Sequence, residues 1–167
     1  MHISATELRQ LGATLNPPAD PALLDRLELN YGIRFPSEAR ALYEEANGTA
    51  SEFGDSSWRF WPADIEELTL VPYFKQSKDY VVRPEKRSID PSKYVRFFDY
   101  LIDLPLYAYC ADSRSDYFGE VIGCTTDGGT FDAFVAAPSI ANFLRKFIAS
   151  RGDDPIIIDD PKCPTRR

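Results

Sequence analysis

The stretch LNYGIRFPSEARALYEEANG, residues 29–48, decides how the rest of the chain is read. It closes one helix, crosses a short link and builds a second helix that stops at Asn47-Gly48. Leu23, Leu24, Leu27 and Tyr31 recur at helical spacing, which predicts a helix from about Asp20 to Tyr31. Asp20 is placed to cap it, Pro21 suits its first position, and Gly32 suits a left-handed stop. Ile33 and Phe35 in the link are core candidates. Pro36 opens the next helix, whose apolar positions are Ala39, Leu42, Tyr43 and Ala46.

Upstream, Ser4 and Glu7 have the spacing of a capping box, and Ile3 with Leu8 that of a hydrophobic staple. A short first helix is therefore expected, ended by Asn16-Pro17-Pro18. Downstream, Trp58–Trp61 reads as a short strand broken by Pro62, with Asp64 capping a one- or two-turn helix before Leu68. If the strand alternates, Trp58 and Phe60 share one face and Trp61 takes the other, so one tryptophan belongs to the core and the other is a contact candidate. Residues 75–96 carry seven basic and three acidic side chains with Pro84 and Pro91, the pattern of a long basic surface loop.

Strands are expected over residues 94–101, 104–110, 118–124 and 130–136, the last two forming a hairpin around Asp127-Gly128-Gly129. The final helix is capped by Ser139 and carries Ile140, Phe143, Leu144, Phe147 and Ile148 as a wide apolar stripe. Helices, then strands, then one closing helix predict an α+β fold, a largely antiparallel sheet covered by helices. One domain over residues 1–152 is expected, with a tail over 153–167 in which Ile156–Ile158 suits an edge strand.

The 167 residues carry a formal charge of −7, which disfavours direct binding to nucleic acid or anionic membranes and suits a basic protein partner. No basic-then-apolar leader opens the chain and no apolar run reaches membrane-spanning length, so a cytoplasmic location is expected. The single histidine, His2, stands beside the N-terminus, which removes histidine-based nucleophile activation. Cys110, Cys124 and Cys163 form no close pair, so free thiols in a reducing compartment are expected, without a zinc site.

The ordered set LELNYGIRFPSEARALYEEANG, FWPADIEEL and APSIANFLRKFI resembles the SUKH superfamily, which includes yeast regulators of cell-wall assembly and many bacterial immunity proteins of polymorphic toxin systems. The resemblance covers roughly residues 20–150 and rests on the order of the pieces. It implies a protein-binding module rather than an enzyme, with no cofactor and no shared catalytic residues. The implied partner is a cognate toxin domain. The implied alternative is a regulatory scaffold.

For that partner, Asp112, Asp116, Glu120 and Asp132, with Tyr117 interleaved and Trp58 as an aromatic contact, are the candidate binding residues. Such acids suit the basic groove of a nuclease, and a tyrosine suits an anchoring role. A third reading, a metal-dependent hydrolase using the Asp112–Glu120 carboxylates, has no histidine or phosphate loop to support it.

Overall fold

Helix boundaries follow the caps. The computed structural model describes residues 4–50, 58–74, 81–83, 87–100, 105–127 and 130–151. In α1 (Ala5–Gln10) the Ser4 N–H donates to Glu7 Oε2 at 2.9 Å, the return half of the capping box. Ile3, its proposed staple partner, lies outside the described residues. In α2 (Pro21–Tyr31) Asp20 Oδ1 accepts from the Ala22 N–H at 2.9 Å, and Gly32 takes the left-handed stop. The stripe differs from expectation at one turn: Glu28 is buried and Tyr31 is exposed. Glu28 Oε1 accepts from the buried Phe35 N–H at 2.8 Å, and Oε2 accepts from Arg34 at 2.9 Å. The carboxylate thus faces inward because the link after α2 supplies its donors.

The helix α3 (Ser37–Glu45) buries Ala39, Leu42 and Tyr43. The Asn47-Gly48 step after it is a crossing point. Asn47 Oδ1 accepts from the Ala63 N–H at 2.8 Å, its Nδ2 donates to Asp64 Oδ1 at 3.0 Å, and its N–H donates to the Pro17 carbonyl. Gly48 has φ +79°, and a Cβ there would stand 2.5 Å from Pro62 N. Only glycine fits both constraints. This crossing also overturns the helix expected at Asp64: residues 63–67 form turns, with the Asp64 carboxylate engaged by Asn47.

Among the described residues seven strands form one sheet: β1 (Trp58–Phe60), β2 (Val81–Arg83), β3 (Arg87–Ser88), β4 (Tyr94–Tyr100), β5 (Leu106–Cys110), β6 (Val121–Asp127) and β7 (Thr130–Ala137). Their order is β1-β4-β5-β6-β7-β2-β3, antiparallel at every pair except β2 with β7. The α+β expectation with a largely antiparallel sheet therefore holds. The basic stretch departs from expectation. It contains β2, β3 and a 3-10 turn at Pro91–Lys93, follows directly on the one-turn helix α4 (Val71–Phe74), and Val82 is fully buried. Charge and proline content suggested a loop, but Val82, buried where β2 pairs with β7, outweighs them. Residues 75–80 and 84–86 lie outside the described residues. So do His2, Gly128-Gly129, Cys163 and the tail with Ile156–Ile158.

Both faces of the central strands are buried. Tyr107 and Tyr109 of β5 point into the core under the helices, while Leu106, Ala108 and Cys110 join Leu70, Val82 and Ile122 on the other side. The closing helix α5 (Ile140–Ala149) starts at Ser139, whose Oγ accepts from the Asn142 N–H. Phe143 lies 4.5 Å from the Tyr107 ring and Phe147 lies 4.7 Å from the Phe98 ring. Such edge and tilted contacts add to area burial. Among the described residues no helix is long and apolar enough to cross a membrane.

Candidate functional site

The turn between β5 and β6, residues 111–120, gathers four of the six candidate residues. Its shape comes from short side chains that bond to their own backbone. Asp112 Oδ1 accepts from the Arg114 N–H at 3.0 Å and from Arg114 Nε at 3.3 Å. Ser115 Oγ accepts from the Tyr117 N–H at 3.1 Å. Gly119, at φ +84°, returns the chain so that its N–H donates to the Cys110 carbonyl. The Arg114 backbone N–H, helped by its guanidinium, holds the Asp112 carboxyl below the usual aspartate range.

The opening stretch of the sequence buttresses this turn. The Arg34 N–H donates to the Ala111 carbonyl at 2.8 Å, Pro36 packs beside Gly119, and Lys93 Nζ donates to the Gly32 carbonyl at 2.6 Å. Lys93 thereby places a cation at the C-terminal end of α2, where the helix dipole favours one.

The acids are placed differently from one another. Glu120 forms an ion pair with Arg87 of β3, both side chains mostly buried at 13% and 12% exposure. The Arg87 guanidinium also lies 3.4 Å over the Tyr117 ring. Asp112 is tied to Arg114. Asp116 is exposed at the turn's apex, beside the partly exposed Tyr117 and Phe118. Phe118 belongs to the turn, since β6 begins only at Val121. Asp132 is not part of this group: its backbone pairs with Thr125, well along the β6–β7 hairpin.

Trp58 departs from the expectation of a surface contact. It is 6% exposed, stacked on Phe98 at 5.6 Å and edge-on to Phe147 at 5.0 Å, because β1 lies under α5. Trp61 is half-buried instead, with Arg59 and Arg96 over its ring and its Nε1 donating to Asp99 Oδ2 at 2.9 Å.

Beside the turn lies a cleft of about 280 Å³, whose wall includes Arg87, Asp90, Lys93, Asp112, Arg114 and Tyr117. The three cations are residues that sequence reasoning left out of the site. Two of them, Arg87 and Lys93, sit in the basic stretch whose charge was the available signal. Among the described residues no three His, Cys, Asp or Glu side chains cluster as metal ligands would. What the arrangement offers is a firmly held turn, exposed aromatics and mixed charge, the materials of a recognition surface.

The family model of the SMI1/KNR4 family (SUKH-1) matches residues 18–146, well over half of the chain. The chain belongs to the SMI1/KNR4 family. The SUKH-1 match runs from just before α2 into α5, so it includes the buttressing link and the 111–120 turn, while α1 precedes it. No curated protein matches the chain.

Proposed function

We propose that this SUKH-1 chain is a non-enzymatic, cytoplasmic protein-binding module, and that it acts as an immunity protein that binds and occludes a cognate toxin. The match to the SUKH-1 family supports the reading, because the superfamily that the chain resembles includes immunity proteins of toxin systems. The 111–120 turn is the proposed contact. Tyr117 and Phe118 anchor the interface, each somewhat over a third exposed. Asp116 and Asp112 form the acidic rim, which suits a toxin whose groove is basic because it holds phosphates.

A tagged pull-down from the native host, read by mass spectrometry at low and moderate salt, tests this. One stoichiometric partner with a basic toxin-like domain, weakened by salt, supports occlusion. A diffuse set of housekeeping proteins favours the regulatory-scaffold role instead. Asp116→Lys and Phe118→Ala should then weaken the partner without unfolding the chain. Glu120→Lys is a poor probe, because it breaks the pair with Arg87 and disturbs the turn itself.

A further inference from the structure

We propose that the cleft between β3, the 3-10 turn and the 111–120 turn is an oxyanion site, taking a carboxylate or phosphate-type group. This goes beyond the occlusion reading and does not depend on which protein is occluded. The cleft wall and its immediate backing set Arg87, Lys93 and Arg114 against Asp90, Asp112 and Glu120. Formal charge therefore balances, and what selects an anion is the distribution of hydrogen bonds.

Each acid of the cleft wall is tied to its own loop through one oxygen, Oδ1, which accepts twice. Asp90 Oδ1 accepts from Ser92 N–H and Oγ at 2.9 and 2.7 Å, and Asp112 Oδ1 accepts from Arg114 N–H and Nε. The two cations outside the Glu120 pair, half-buried Lys93 and exposed Arg114, are less committed. Lys93 gives one hydrogen bond, to Gly32, and Arg114 gives one from its guanidinium, to Asp112. Their remaining N–H groups have no partner among the described residues and border the cleft. Ser115 Oγ accepts from Tyr117, which leaves its own hydrogen to donate. Unused donors thus come from the 3-10 turn on one side and the 111–120 turn on the other, as charge-assisted recognition of an oxyanion needs. Tyr117, fixed under Arg87, makes one wall rigid.

Two sources carry this chemistry: a free small anion, or an acidic side chain or C-terminus of a bound polypeptide. The test is amide NMR titration of the full chain with inorganic phosphate, with a tetraglutamate peptide, and with a tetralysine peptide as opposite-charge control, at constant ionic strength. The expected result is saturable shifts confined to residues 87–94 and 111–117 with an anionic probe. Tighter binding of phosphate identifies the free-anion source, and tighter binding of tetraglutamate the polypeptide source. Arg114→Gln and Lys93→Gln should each weaken the better probe about tenfold, the scale of one charged hydrogen bond. Arg114 is 84% exposed, so its variant keeps the wild-type melting temperature. The proposal is overturned if neither anion saturates, if tetralysine binds the same amides more tightly, or if both variants bind like wild type.

Discussion

Removing the Glu28 side chain tests what holds the link that buttresses the site. Glu28 is 8% exposed and accepts the buried Phe35 N–H at 2.8 Å through one oxygen and Arg34 at 2.9 Å through the other. Glu28→Ala leaves the Phe35 N–H buried without an acceptor, which costs about 1–3 kcal/mol. It also removes a pair with Arg34, whose side chain is 64% exposed, so that part is worth at most about 1 kcal/mol. The expected loss is about 1–4 kcal/mol, or a fall in Tm of roughly 2–16 °C for a chain of this size. Glu28→Gln keeps an oxygen for Phe35 but sets an amide NH2, which cannot accept, where Oε2 faced Arg34, so it loses the charge and that exposed pair and should cost about 1 kcal/mol. Urea denaturation followed by circular dichroism separates the two variants. Equal losses for Ala and Gln would show that charge, not the buried hydrogen bond, matters. An Ala variant within about 0.5 kcal/mol of wild type would refute the account altogether.

Gly48→Ala should destabilise the chain by more than about 3 kcal/mol, because left-handed strain and a backbone clash act together, and its soluble yield and Tm report this. Trp58→Ala should cost about 3–5 kcal/mol as a core deletion, while Trp58→Phe should leave partner affinity unchanged in calorimetry. Cys110 and Cys124 are buried, and burial pushes the Cys124 thiol well up. Peptide mapping after brief alkylation should find both unmodified in the native chain and modified in urea. The Asp112 carboxyl is held low in the folded turn, so its contribution is present above the ordinary aspartate range and is lost as pH falls through its lower folded value. An NMR titration should place its midpoint below that of Asp112 in the unfolded chain, and Arg114→Gln should move it only part of the way back, since the backbone N–H remains.

The helices were readable because their signals are local. Asp20, Gly32 and Ser139 act within a turn of themselves, and the α5 stripe needs only a period. The errors arose where distant chain segments meet. Asp64 has the makings of a cap, but Asn47 takes its carboxylate. Tyr31 has the right spacing for the core, but the link after Gly32 brings donors that turn Glu28 inward. Trp58 and Trp61 could be divided between two faces, but which face lies under α5 depends on the β1–β4 pairing. At the site, the turn acids were visible in the sequence. Their partner Arg87 lies 33 residues from Glu120 in a stretch that looked solvated. Charge pairing across that distance leaves no periodic trace.

The join between β2 and β7 has a consequence for how the molecule is recognised. Among the described residues, the backbone pairing that joins the β2–β3 edge to β7 is two residues long, Val82↔Ala133 and Arg83↔Phe134, and the Arg87–Glu120 pair adds a side-chain tie. Short non-local pairings of this kind open at lower free energy than central strands do. Arg87 rides on that edge, so its side of the cleft is complete only while the edge is docked. A ligand gripping the cleft would therefore act as a zip-fastener for the edge, and hydrogen exchange at residues 81–88 should slow on binding. A partner that reads this face would therefore read the docked edge together with the turn.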